Sequence, residues 1–212
     1  MVDIEKVRSL AKNIFSKSKG SHDLDHTLRV YNLAVHIGEK EGADMDVIKV
    51  SALLHDIARH EQDVSGGKIC HAIKGAQDAR ILLADLDFSQ TFIDAVYHCI
   101  ETHRFRGSKV PVSKEAKILF DADKLDSIGA VGIGRAFLFS GEIGAKLHDP
   151  DVDISITETY SVDDTAYREY LDKRKHVKDK MLTSEGKRIA VERDIFMKDF
   201  FDRLNDEFNG LL

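Results

Sequence analysis

The chain has 212 residues, 42% of them hydrophobic and 32% charged, with a net charge of −6. That is enough for one domain with a real core, and the acidic balance argues against long nucleic acid as a main partner, because phosphate-backbone binding needs a basic face. A local basic pocket for one small phosphate compound stays open. Cys70 and Cys99 form no disulfide framework. The N-terminal stretch MVDIEKVRSLAKNIF lacks a signal-peptide apolar core. No apolar run approaches a membrane span, so a cytoplasmic location is expected.

Helical periodicity dominates. Residues 3–18 place Ile4, Val7, Leu10, Ala11, Ile14 and Phe15 on one stripe. Gly20 breaks the pattern, and Ser21 or Asp23 can cap a second helix that runs to about Lys40 before Glu41-Gly42 stops it. Asp44 or Asp46 opens a third helix expected to end near His60, followed by a loop over EQDVSGGKI. Helices are expected at about 70–85, 89–103 and 113–127, with RFRGSKVPV as a loop. The glycine-rich run IGAVGIGRAFLFSGEIG reads as a close-packed helix. Residues 145–162 read as an acidic loop or lid, and two charged helices are expected at about 163–182 and 184–208. No strand-type alternation occurs. The expected fold is all-α and single-domain, a helical core at about 20–130 with a C-terminal helical extension at about 145–212.

Several titratable groups sit inside these apolar stretches. His26 lies in SHDLDHTLRVYNLAVHIG, His55 and Asp56 in SALLHDIARH, and Asp121, Asp123 and Asp126 in AKILFDADKLDSIG. Burying such groups is costly unless something pairs with them. An inward-facing set of imidazoles and carboxylates wants a cation. A mixed nitrogen and oxygen set suits Mn²⁺, Mg²⁺, Co²⁺, Ni²⁺, Fe²⁺ or Zn²⁺ alike. Adjacent helical residues point about 100° apart. His55 and Asp56 can therefore serve one ion only near a helix end, where the backbone can adjust.

The order S-H-D-x-x-H-x-x-R-V, then L-L-H-D-I-A, then D-A-D-K-L-D resembles the successive motifs of the HD-domain metal-dependent phosphohydrolase superfamily. The C-terminal MLTSEGKRIAVERDIFMKDFFDRL resembles the tail of its bacterial and archaeal nucleotide pyrophosphohydrolase-like subgroup. The resemblance implies an all-helical HD core with His26, His55, Asp56 and Asp123 as metal ligands. Asp121 and Asp126 then read as capping or salt-bridging residues. It also implies a phosphate-contacting role for Lys124, which directly follows Asp123. In the two-metal branch two further histidines hold a second ion. His71 matches the first place, and His98 or His103 the second. On a one-metal reading, which is favoured, His71, His98 or His103 instead contacts phosphate or acts as general acid.

The other candidates are peripheral. His22 can line the site mouth or cap the second helix. Arg29 and Arg59 are weaker phosphate contacts than Lys124. His60 can meet phosphate or end a solvated helix, and His36 is ambiguous. His148-Asp149 reads as a surface turn, and His176 as part of a charged helix face. The resemblance implies hydrolysis of a phosphate ester or anhydride by metal-activated water, with Asp56 holding both metal and water. The implied substrate is a small nucleotide, as in conversion of a nucleoside triphosphate to monophosphate and pyrophosphate. A di-iron oxygenase and a non-catalytic nucleotide-sensing module are the alternatives. Oligomeric state, including a homodimer, stays open.

Overall fold

The computed structural model describes residues 3–15, 24–104 and 109–212. All regular structure among them is helical, as expected from the periodicity. None of these helices is long and apolar enough to cross a membrane. His22, Ser21 and Asp23 lie outside the described residues. The chain forms two compact units, Met1–Asp123 and Lys124–Leu212.

The first unit is built on α3 (Met45–Leu54), whose Val47, Ile48, Val50, Ser51, Ala52, Leu53 and Leu54 are all buried. A helix apolar on nearly every side must be surrounded. α3 packs against α1 (Ile4–Phe15), α2 (Leu24–Glu41) and α6 (Gln90–Thr102), while α5 (His71–Asp85) lies along α6 and α4 (Arg59–Val64) touches α5. Gly42, at φ +64, stops α2 in the left-handed conformation that a helix C-terminus favours. The carboxylate of Asp44 starts α3 by accepting from the backbone N–H groups of Asp46 and Val47 at 3.0 and 3.2 Å. α7 (Lys114–Leu125) carries the DADK segment.

The third helix is shorter than its sequence suggests. It ends at Leu54, a turn covers 55–58, and α4 then occupies part of the expected loop up to Val64. Tighter bonds mark the break: Ile57 N donates to Leu54 O at 3.3 Å and Arg59 N to Asp56 O at 2.9 Å. Apolar periodicity continues through this turn because Ala58 is still buried. The pattern therefore concealed the interruption.

The second unit contains α8 (Gly129–Glu142), α9 (Ala166–Asp172), two 3₁₀ turns (Arg174–His176 and Lys178–Lys180) and α10 (Ser184–Phe208). α8 packs on α9 and α10. Its glycines allow close approach. A Cβ on Gly129, at φ +75, would lie 2.8 Å from Arg193 Cγ, and one on Gly132 would lie 2.3 Å from Ser127 O. Three arginines satisfy carbonyls at and just after the end of α7, which stops at Leu125 rather than at the expected 127. Arg193 Nη1 donates to Leu125 O at 2.5 Å, Arg135 Nη1 to Asp126 O at 3.2 Å, and Arg174 Nη1 to Ser127 O at 2.6 Å.

Arg174 also explains why the helix expected over 163–182 is broken. Its buried guanidinium is drawn to Ser127 O and to Glu169 at 3.4 Å, and the backbone departs from helix at Lys173. Residues 145–162 contain no helix or strand, as expected. Their ends are joined by Lys146 N to Val162 O at 2.8 Å. His148 is not a surface turn residue. It is 4% exposed, pairs through Nε2 with Asn205 Oδ1 at 2.7 Å, and packs on the rings of Tyr167 and Phe208. The aromatic neighbours come from residues far along the chain, which a local pattern does not report.

Replacing Asp44 by Ala removes both cap bonds of the central helix and should cost about 1 kcal/mol of stability. Urea unfolding measures this; an unchanged midpoint would show that α3 does not need its cap.

Candidate metal centre

His55 is the C-cap residue of α3. Its Nδ1–H donates to Ala52 O, three residues back, at 2.8 Å. His103 repeats this device as the C-cap of α6, with Nδ1–H donating to Ile100 O at 2.6 Å. Carbonyls in the last turn of a helix lack intrahelical partners. Each imidazole satisfies one of them and is thereby locked with Nε2 facing away from its own helix. His71, at the start of α5, is held differently. Its ring Nδ1–H and its backbone N–H both donate to Gln62 Oε1, at 2.8 and 3.2 Å. In all three residues Nδ1 carries a proton, so in the neutral ring Nε2 presents a lone pair.

These nitrogens converge. His71 Nε2 lies 3.2 Å from His103 Nε2, and His55 Nε2 lies 3.3 Å from His26 Nε2. With both rings neutral, His71 and His103 face each other through two acceptor nitrogens and no donor. Asp56 stands between the two pairs. Its Oδ2 is 3.7 Å from His26 Nε2 and 3.8 Å from His55 Nε2, while its Oδ1 is 3.4 Å from His71 Nε2 and 3.5 Å from His103 Nε2. Asp123 Oδ1 approaches His26 Nε2 at 3.4 Å. The donors fall into two groups able to hold an ion, His26 with His55 and Asp123, and Asp56 with His71 and His103. Five of the six residues are buried, and Asp123 is partly exposed.

This donor set fits divalent cations. Metal–nitrogen bonds of about 2.0–2.1 Å put two ligands of one ion about 3.0–3.4 Å apart. The observed separations lie at or slightly above that span. Burial supplies the matching electrostatics. It holds the His55 imidazole neutral down to about 4, against the opposing pull of Asp56, with His103 and His26 adding to the depression. Burial likewise lowers His71 to about 3, opposed by Asp56 and reinforced by His103 and Arg59. Neutral imidazole is the form that binds a metal.

The remaining candidates are not among the donors of these two groups. His98, one turn before Thr102 on α6, uses Nε2 to accept the backbone N–H of Val112 at 3.2 Å. The 100° step per residue turns it away from His103's direction. Asp121 is fully buried, and Asp126 forms an ion pair with Arg135 at 2.7 Å. Arg59 is half-buried and 3.5 Å from Asp63. Arg29 is half-buried on α2, three residues after His26, and Lys124 is half-buried directly after Asp123. His36, His60 and His176 are exposed. Sequence reasoning missed Gln62, which orients His71 from nine residues away; no spacing rule points to it.

The HD domain model matches residues 23–128. The chain belongs to the HD-domain family. YpgQ of Bacillus subtilis is 33% identical over 212 residues, covering 98% of this chain and 94% of that protein. The crystal structure of YpgQ in complex with ADP is similar with a TM-score of 0.73 at 28% identity, covering 99% of this chain and all of that one. An HD-superfamily hydrolase from Bacillus thuringiensis is similar with a TM-score of 0.77 at 29% identity, covering 97% and 96% of the two chains. The protein is therefore a hydrolase with the all-α fold of the HD-domain metal-dependent phosphohydrolases.

The depressed histidines set a pH dependence. An unfolded histidine titrates near 6.5, whereas folded His55 and His71 stay neutral to about 4 and 3. Between these values the unfolded chain binds protons that the folded chain does not, so stability is lost as pH falls through that window. Chelator-treated protein should have a lower urea midpoint at about pH 5 than at about pH 7; equal midpoints would contradict the assignment of neutral buried imidazoles.

Proposed function

We propose that this HD-domain hydrolase cleaves a phosphate ester or anhydride of a nucleotide, using divalent ions held by His26, His55 and Asp123 and by Asp56, His71 and His103. One observation carries the reading: the Nε2 atoms of His71 and His103, each tethered through Nδ1, face each other at 3.2 Å, with the Asp56 carboxylate between that pair and the His26–His55 pair. A divalent cation or a proton relieves that arrangement, and burial, which lowers His71 to about 3, disfavours the proton. The two groups favour two ions over the single one that the sequence first suggests, and Asp56, which faces both groups, would help hold them. The relative YpgQ, seen with ADP, supports a nucleotide as the ligand. Release of pyrophosphate from a nucleoside triphosphate is the finer form of the proposal.

Bound divalent ions would polarise a phosphoryl oxygen and make water nucleophilic near neutral pH. The residues of the chain do the rest. The Nδ1 tethers of His55, His71 and His103 keep the donor geometry fixed, so little reorganisation accompanies the reaction. Asp56, with both oxygens turned into the cluster, would help hold the metal and orient the attacking water. Lys124, with Arg59 and Arg29 as further cations, offsets charge on the phosphoryl oxygens. His98 is an unsuitable proton donor at Nε2, which already accepts the Val112 N–H. A second reading, a di-iron oxygenase, is also favoured by the two-group geometry; two irons per chain with O₂ uptake on substrate would select it.

Asp56→Asn keeps the shape but withdraws charge from both groups. It should lower bound metal and reduce phosphohydrolase turnover by at least about a hundredfold. The measurements are metal analysis and a nucleotide panel in which phosphate and pyrophosphate are scored separately. Wild-type activity in this variant would remove the assignment. His103→Ala should lose metal in the same assay while His98→Ala retains it. The opposite ranking would move the second histidine place to His98.

A further inference from the structure

Arg104 directly follows His103, and Cys70 directly precedes His71. Their side chains meet, with Arg104 Nη1 donating to Cys70 Sγ at 3.2 Å. This contact sits one residue beyond the His71–His103 pair in both segments, where α5 begins and α6 has ended. Cys70 and Arg104 are half-buried, whereas His71 and His103 are buried. The contact thus marks the rim of the metal centre.

The partners of the neighbouring cations differ. Arg59 lies 3.5 Å from Asp63, and Lys74 lies 2.5 Å from Asp78 and 3.7 Å from Glu61. Among the described residues, Arg104 has no carboxylate within ion-pairing distance, and its polar contact is the sulfur of Cys70. A guanidinium offers five N–H donors in a planar fork, and a thiol is a weak acceptor. The first turn of α5 also carries no acidic residue, so nothing there competes for the charge.

We propose that Arg104 is a phosphate-binding residue of this site, which takes oxygens of a polyphosphate held at the metal centre and rests on Cys70 when no anion is bound. The proposal builds on the phosphohydrolase reading and adds the element that recognises the chain of phosphates. Exchanging one sulfur contact for paired, charge-assisted bonds to phosphate is favourable. The fork geometry is specific to arginine. A lysine at the same place would supply charge without the paired bonds.

The test uses full-length protein loaded with Mn²⁺, as wild type, Arg104→Gln, Arg104→Lys and Cys70→Ser. ADP and inorganic triphosphate are titrated calorimetrically, metal content is measured, and kcat and KM are determined on a nucleoside triphosphate. Arg104→Gln should weaken both ligands about tenfold or more, raising KM more than it lowers kcat, at unchanged metal content. Arg104→Lys should fall between it and wild type. Cys70→Ser should bind ADP within about twofold of wild type, because the thiol is only the resting place. Three results overturn the proposal: Arg104→Gln binding both ligands as wild type does, its defect accompanied by metal loss, or an equal defect in Cys70→Ser. If wild type binds and cleaves phosphate compounds and Arg104→Gln does so equally, only the role of Arg104 falls. If metal-loaded wild type neither binds nor cleaves any of them, the phosphohydrolase reading falls and takes this one with it.

Discussion

The centre depends on a hydrogen bond that points away from it. In His55 and His103 the ring Nδ1–H caps a carbonyl three residues back, at 2.8 and 2.6 Å. That bond satisfies a helix end, chooses the tautomer and aims Nε2, all at once. His71 reaches the same state through Gln62. The consequence is that neutral His71 and His103 face each other through acceptor nitrogens, an arrangement that is costly by itself and favourable around a cation. Burial of His55 and His71 resists the alternative of protonation. Local backbone satisfaction and metal affinity are therefore coupled through one set of rings.

The position of the cluster follows from α3. That helix is surrounded by α1, α2 and α6, so a residue at its C-terminal end is already inside the protein. His55 keeps helical backbone angles, φ −60 and ψ −35, as the last residue before the turn, and Asp56 Oδ2 comes within 3.8 Å of His55 Nε2. The same turn lets Asp56 address His71 and His103 with its other oxygen.

Much of this was legible in the chain. Helix order and type followed from periodicity and from breakers such as Gly42. The candidates His26, His55, Asp56 and Asp123 stood out as titratable residues in apolar stretches, and the HD-domain resemblance agrees with the family match over residues 23–128. Less could be read of His71, His98 and His103. The last two are five residues apart on one segment, and only the cap at the end of α6 separates a residue facing the cluster from one that accepts Val112 N–H. His148 was misread for a related reason: its aromatic neighbours Tyr167 and Phe208 are distant in sequence.

The sequence by itself determined the helical class, the family and the residue types available for an N/O metal centre, because periodicity and motif order are properties of neighbouring residues. Tertiary structure decided how those residues are grouped. Whether a histidine belongs to the centre depends on which carbonyl or amide takes its Nδ1 proton, and Gln62, Ala52 and Ile100 have no signature in spacing. The Arg104–Cys70 contact is of the same kind, since two residues 34 positions apart meet only because α5 and α6 lie side by side.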